Sequence, residues 1–79
     1  MSILNTVLAN LKVKHPAIQN YYSLGDGEVL VCISWGSKYD RCLCDVMMAR
    51  LGYEKVQEVI TERNGHSDHY SSEHTYKKQ

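Results

Sequence analysis

Three histidines near the C-terminus, His66, His69 and His74, are the side chains of this sequence that most readily suggest a chemical site. Asp68 and Glu73 lie among them, and imidazole and carboxylate groups are good ligands for zinc and similar ions. Their spacing fits neither a helical nor a zinc-finger pattern. On a strand His66 and His74 share one face and His69 takes the other, so at most two converge. We therefore predict a solvated polar hairpin, with no bound metal and no cofactor.

The cysteines Cys32, Cys42 and Cys44 are the other candidate ligands and nucleophiles. A histidine metal site would need a further ligand, and Cys44 is the obvious thiol. Residues two apart on a helix point about 200° apart, so Cys42 and Cys44 cannot together hold one ion or form an easy disulfide there. The sequence locates neither a base nor an oxyanion donor for a cysteine nucleophile. These residues predict structural, reduced thiols and a protein that is not an enzyme.

The turn Gly36-Ser37-Lys38 follows an apolar segment and precedes a helical pattern. Helix N-termini attract anions, but this turn is too short for the phosphate-binding loop, in which four residues separate the two glycines. Ser37 with Asp40 three residues later is typical of an approximate capping box. The turn therefore predicts the start of a helix rather than a phosphate site.

Apolar spacing predicts a helix and a hairpin in the first half of the chain. A stripe at helical spacing covers residues 3–11, and Pro16 stops the helix because it disfavours the α conformation at the preceding residue. Gly25-Asp26-Gly27 supplies a turn between residues 18–23 and Glu28–Trp35. Glu28–Trp35 is apolar on both faces, which is typical of a central strand that is covered on both sides. This strand implies a layer on each side of the sheet, or one layer plus a partner.

The second half of the chain contains one ambiguity. Helical spacing predicts a second helix over residues 37–51. Residues 53–64 fit either a third helix or a strand that enters a two-residue Asn64-Gly65 turn, which is a strong hairpin signal. We favour the strand, whose register would place Tyr53 opposite Tyr76.

The predicted elements follow the order α-ββ-α-ββ in a single domain over residues 1–79. This order is typical of an α+β fold in which two helices cover an antiparallel sheet. Residues 66–79 are a polar C-terminal segment whose end we expect to fray. A chain of this size buries only about 60–65% of the surface that its unfolded form exposes, so a homodimer or a permanent partner would help to stabilise it.

A nucleic-acid-binding regulator is the second hypothesis, and the charge composition disfavours it. Nine basic and nine acidic residues give a formal net charge of zero, whereas nucleic-acid binders usually have a basic face and a high pI. A helix-turn-helix over residues 41–64 would turn three glutamates toward the DNA phosphates. The candidate phosphate contacts are Lys12, Lys14, Lys38 and Arg41.

The sequence predicts no attachment to a membrane. The longest unbroken apolar run, Val29–Ile33, is far shorter than the roughly 20 residues that a membrane span needs. The N-terminus lacks the charged, apolar and small-residue regions of a signal peptide. With its odd number of cysteines, the chain is expected to be cytoplasmic.

The aromatic residues carry the main functional signal. There are six Tyr and one Trp but no Phe. Tyr and Trp join a large apolar body to a polar tip, and they are enriched in protein interfaces. We expect the outward-facing tyrosines and their acidic neighbours to form a contact patch for another protein. Its predicted members are Tyr39, Tyr53, Tyr70, Tyr76, Glu54, Glu58 and Glu62.

These features together predict a small non-enzymatic protein-binding module. In its size, its start at Met1 and its lack of catalytic motifs, the chain resembles the small proteins of bacteriophages and mobile elements. Many of those proteins bind and block a host enzyme, so the resemblance implies an inhibitor that acts by occlusion on a host or cytosolic protein. A small fold stabilised by metal at the terminal histidines is the third hypothesis.

Overall fold

The computed structural model describes residues 3–79, and residues 1 and 2 lie outside it. The described chain forms two helices and four strands in the predicted α-ββ-α-ββ order. These elements are α1 (Ile3–Lys14), β1 (Ile18–Gly25), β2 (Glu28–Gly36), α2 (Lys38–Arg50), β3 (Tyr53–Arg63) and β4 (Tyr70–Lys78). The predicted α+β class is confirmed, and so is the strand, rather than a third helix, after α2.

The four strands form one antiparallel sheet in the order β1-β2-β4-β3. The apolar strand β2 lies between β1 and β4, so its predicted central position is confirmed. The polar segment that ends the chain supplies β4, which is the other central strand, while β3 lies at an edge. Because β3 is a strand, the helix-turn-helix considered from the sequence is wrong.

The register of the β3–β4 hairpin differs from the predicted one. Residues 64–69 form a longer connection in place of a two-residue turn, and Arg63 pairs with Tyr70. Tyr53 pairs with Lys78, while Tyr76 pairs with Lys55. The connection is four residues longer than the predicted turn, and each of the two irregularities in the pairing of β3 takes back one residue, so Tyr76 lies opposite Lys55 instead of Tyr53.

Both helices pack on one face of the sheet and close a single core there. Apolar side chains of α1 and α2 meet the inward-facing side chains of β1, β2 and β4. The buried members are Leu8, Leu11, Ile18, Val29, Val31, Ile33, Cys44, Met48 and Tyr76. Full burial of side chains of this kind contributes about 1.5–3 kcal/mol each, so this one layer of contacts supplies most of the stability of the fold.

The start of α2 is fixed by the capping box that the sequence indicates. The Ser37 side chain accepts a hydrogen bond from the Asp40 backbone N–H (3.2 Å), and the Ser37 N–H donates to Asp40 Oδ2 (2.9 Å). These two bonds satisfy backbone donors that a helix N-terminus otherwise leaves free. They also hold α2 in place above the sheet.

The other face of the sheet carries neither helix of the described chain. The expectation that a layer covers each side of β2 is therefore wrong, and the alternative of one layer plus a partner stays open. We call this surface the open face, and we assign its members from strand pairing, because paired residues project to the same side. They are Asn20, Tyr22, Glu28, Leu30, Cys32, Ser34, Glu54, Gln57, Val59, Glu62, Ser71, Glu73, Thr75 and Lys77.

Candidate functional site

Cross-strand pairing arranges the open face in rows that run across all four strands. In one row Tyr22 pairs with Leu30, Leu30 with Thr75, and Thr75 with Gln57. Tyr22 is 50% exposed, whereas Leu30 is half-buried between its neighbours. This row therefore presents an aromatic ring and an aliphatic side chain to solvent on a rigid sheet.

The next row gives the open face a concave centre. Asn20, Cys32, Glu73 and Val59 follow one another across the sheet. They lie in or beside a trough of about 310 Å³, whose lining includes Tyr22 and Asn20 on one side and Glu62 on the other. A trough of this volume is large enough to receive a side chain of another molecule.

Carboxylates dominate the charge of the open face. Four of its residues are glutamates and one is a lysine, Lys77, which pairs with both Glu28 and Glu54 across the sheet. Glu62 and Glu73 have no ion pair with any residue of the described chain. The trough is therefore an acidic depression.

The thiol in the floor of the trough is not activated. Cys32 Sγ donates a long hydrogen bond to Glu73 Oε2 (3.9 Å). Partial burial, followed by the charge and hydrogen bond of Glu73, raises the pKa of the Cys32 thiol. A nucleophilic cysteine needs the opposite shift, because the thiolate is the reactive form.

Trp35 lies at the end of β2 in a backbone conformation that few tryptophans adopt. Its φ is +51°, in the left-handed region, and the register of β2 against β4 shifts between Ile33 and Gly36. The Trp35 N–H donates to Ser71 Oγ (3.1 Å), and the residue is 44% exposed. Such a conformation costs of order 1–3 kcal/mol, and irregularities of this kind re-aim a side chain.

A second polar cluster lies on the opposite, helix-covered side of the sheet. His74 is fully buried, and its Nε2 is 2.7 Å from Ser72 Oγ. Its Nδ1 has no hydrogen-bond partner and lies 3.4 Å from Glu58 Oε1 and 4.0 Å from Asp45 Oδ1. Lys55 Nζ bridges the same two carboxylates at 2.8 Å each.

The buried surroundings of His74 favour its neutral imidazole over the protonated form. Burial lowers the pKa of His74 and outweighs the attraction of Glu58. The hydrogen bond from Lys55 lowers the pKa of Glu58, which therefore stays ionised. Ser72, His74 and Glu58 line up like a serine nucleophile with its base and acid, but Ser72 is 1% exposed, so no substrate reaches it.

The predicted tyrosine patch is not one surface. Tyr76 is fully buried, and its hydroxyl donates to Asp45 Oδ1 and lies 3.4 Å from Cys44 Sγ, so its predicted outward position is wrong. Burial raises the pKa of the Tyr76 hydroxyl and raises the pKa of the Cys44 thiol to about 11. Tyr53 is half-buried and packs against the core. The physical reason is that β4 is a central strand under α2.

The remaining predicted contact residues are split between the two sides of the sheet. Glu54 and Glu62 lie on the open face, whereas Glu58 faces the helix side opposite His74. Tyr39 is 67% exposed at the start of α2, on the helix layer. Tyr70 is half-buried, with the Arg41 guanidinium 3.7 Å above its ring. Of this set, only the two glutamates belong to the open face.

Arg41, predicted as a phosphate contact, has a structural role. It is 8% exposed, and its Nη1 donates to the Gly36 carbonyl oxygen (2.6 Å) and to the Asp68 carbonyl oxygen (3.1 Å). These bonds fasten α2 to the loop before β4. Lys12, Lys14 and Lys38 are exposed on the helices. Arg41 does not join them as an exposed phosphate contact, because its side chain is buried and bonded to backbone carbonyl groups.

The candidate metal ligands do not converge. His66 and His69 are exposed in the 64–69 connection, whereas His74 is enclosed under α2. Residues 3–79 contain no group of three or more His, Cys, Asp or Glu side chains placed to hold a metal ion. The three cysteines are free thiols, with Cys42 exposed, Cys44 buried and Cys32 between these extremes.

Neither helix of residues 3–79 has the length and apolar content that crossing a bilayer requires. Comparisons with protein-family models, with curated proteins and with solved structures found no match to this chain.

Sequence reasoning missed Tyr22, Leu30, Val59 and Trp35 as surface residues of functional interest. One signal for the open face was available, because β2 is apolar on both faces while residues 3–79 form only two helices that could cover them. The left-handed conformation of Trp35 has no such signal, since tryptophan disfavours it.

Proposed function

We propose that this chain is a small non-enzymatic protein-binding module that acts by occlusion, with the open face as its contact surface. The observation that carries the proposal is a sheet with apolar side chains on both faces and helices on only one. An antiparallel sheet that faces water normally alternates apolar and polar residues. Here Tyr22, Leu30 and Val59 interrupt that alternation on the solvent side.

The backbone conformation of Trp35 supports the open face as the contact surface. A strained residue persists only where the surrounding structure holds it, and such residues cluster at functional positions. Trp35 is bonded through its backbone to Ser71, an open-face residue, and keeps nearly half of its surface exposed. Tryptophan is among the residues most enriched at the energetic centres of protein interfaces.

We propose a non-enzymatic role because a substrate could not reach the candidate catalytic groups, although their residue types would allow catalysis. The serine–histidine pair that could act on a substrate is enclosed beneath α2, and the thiols at Cys32 and Cys44 have raised pKa values. A binding role needs none of these groups, since a rigid sheet that covers a target surface is sufficient.

The partner in this proposal is a host or cytosolic protein, and the module acts as an inhibitor by covering part of that protein. The resemblance in size and character to bacteriophage and mobile-element proteins supports this role. Three free thiols support a reducing, cytoplasmic setting.

Site-specific photo-crosslinking tests the proposal with a matched pair of positions. A photoreactive phenylalanine analogue replaces Tyr22 in one variant and Tyr39 in the other, because both are exposed tyrosines on opposite sides of the molecule. In an extract of the cell that makes the chain, the Tyr22 variant should yield a defined crosslinked protein, and the Tyr39 variant should not. Identical crosslinks from both positions, or crosslinks from Tyr39 alone, contradict the proposal.

A further inference from the structure

We infer that the protein segment bound by the open face is basic and inserts an arginine into the trough. This inference rests on the proposed function and specifies its partner. Its first support is charge, because the open face carries four glutamates against one lysine. The chain as a whole is neutral, so this imbalance belongs to one surface. A surface of one sign attracts and orients a partner of the opposite sign.

The second support is the chemistry within the trough. Glu62 and Glu73 both line it, and neither has a cationic partner in the described part of the chain. Tyr22 lines the same depression beside Asn20. A guanidinium group makes paired hydrogen bonds to a carboxylate and stacks on an aromatic ring, so an arginine side chain can contact both the glutamates and the Tyr22 ring. A lysine ammonium uses the carboxylates but lacks the planar surface for stacking.

Charge also disfavours a second copy of the chain as the occupant. Two open faces placed against each other would bring eight glutamates and two lysines together, twice the imbalance of one face. Extension of the sheet at β3 is disfavoured too, because its pairing with β4 is irregular between Lys55 and Gln57 and between Ile60 and Glu62. Bulges and charges on an edge strand are a common protection against edge-to-edge pairing.

A peptide titration followed by amide NMR tests the inference. The probes are three nine-residue peptides that alternate serine with arginine, with lysine or with glutamate. The arginine peptide should bind most tightly and shift the amides of Asn20, Tyr22, Cys32 and Glu73, and its affinity should fall as salt is raised. The glutamate peptide should not bind.

Charge-removing variants sharpen the test. Glu73→Gln and Glu62→Gln should each weaken the arginine peptide about two- to fivefold, the range expected for partly exposed charge pairs. Asp26→Asn removes one negative charge from the exposed β1–β2 turn, where asparagine tolerates the φ of +51°, and should leave the affinity unchanged. Equal weakening by all three variants would mean that only net charge matters, and it would overturn the trough as the binding site.

The remaining outcomes distinguish failure of the basic partner from failure of the open face as the binding surface. If Tyr22 crosslinks to a partner but the arginine peptide does not bind, the basic partner is wrong and the binding surface stands. If Tyr22 crosslinks to a second copy of the chain, the basic partner is likewise wrong. If neither crosslink nor peptide binding occurs at this face, both proposals fail.

Discussion

Acidification should destabilise the fold through one buried side chain, His74. The imidazole is fully buried, and burial lowers its pKa below the usual value of about 6.5. In the unfolded chain the same group takes up a proton near pH 6.5, so below that pH the unfolded state binds more protons than the folded state. The stability that depends on neutral His74 is therefore fully present above about pH 6.5 and is lost as the pH falls further.

The size of the effect follows from proton linkage. Each pH unit below the unfolded pKa costs at most about 1.4 kcal/mol per proton, so the loss between pH 7 and pH 5.5 is at most about 1.3 kcal/mol. In a domain of this size, 1 kcal/mol shifts the Tm by about 4–8 °C. Glu58, whose pKa is lowered by Lys55, acts in a more acidic range, at and below about pH 4.5, and does not obscure this window.

Thermal unfolding measured by circular dichroism at pH 7, 6.5, 6 and 5.5 is the assay. His69→Gln is the matched control, because His69 lies exposed in the 64–69 connection and its loss should leave the pH dependence unchanged. An NMR titration of the His74 ring in the wild-type protein should give a midpoint below pH 6.5. A Tm that rises on acidification would instead mean that Glu58 and Asp45 stabilise a charged imidazole more than burial destabilises it, and it would rule out the proposed role of His74.

Three further changes have expected outcomes. Trp35→Asn should change the Tm by less than about 5 °C, because relief of the left-handed strain offsets the lost ring contacts, yet it should abolish capture of the partner in a pull-down. Tyr76→Phe should lower the free energy of unfolding by about 1–3 kcal/mol in urea titrations, because it leaves Asp45 without a buried hydroxyl donor. Ser37→Ala should cost about 1 kcal/mol in the same titration, because it removes the cap on α2, and the helix N-terminus should lose hydrogen-exchange protection.

The element order was predictable because each element is encoded locally. Helical spacing in α1 and α2, a glycine turn before β2 and the Ser37 capping box depend only on residues near one another in sequence. The prediction of β2 as a central strand also needed only its own apolar composition. Local patterns of this kind survive folding because tertiary contacts reinforce them.

The register of the last hairpin was not predictable from the same signals. It depends on the longer 64–69 connection and on two irregularities in the pairing of β3 with β4, while the position of β4 depends on His74 and Tyr76, which pack opposite Val31 and Val29 under α2. Polar or amphipathic residue types gave no indication that this segment would form a central strand. The Asn64-Gly65 pair predicts a two-residue turn, whereas the connection in the structure spans residues 64–69.

The candidate site was mispredicted for a related reason. In a regular strand Glu54, Glu58 and Glu62 would share one face. The two irregularities in the pairing of β3 reverse the alternation twice, so Glu58 faces the helix side while the other two face the opposite side. Bulges depend on contacts with the neighbouring strand, and sequence spacing alone does not reveal them.

Hydroxyl-radical footprinting of the chain, alone and with the protein that it captures, distinguishes the open face from the helix layer as the contact surface. Oxidation of Tyr22 and Trp35 should fall in the complex, while oxidation of Tyr39, which is exposed on the helix layer, should stay the same. Protection of Tyr39 with unchanged oxidation of Tyr22 and Trp35 would place the interface on the helices and overturn the proposed function.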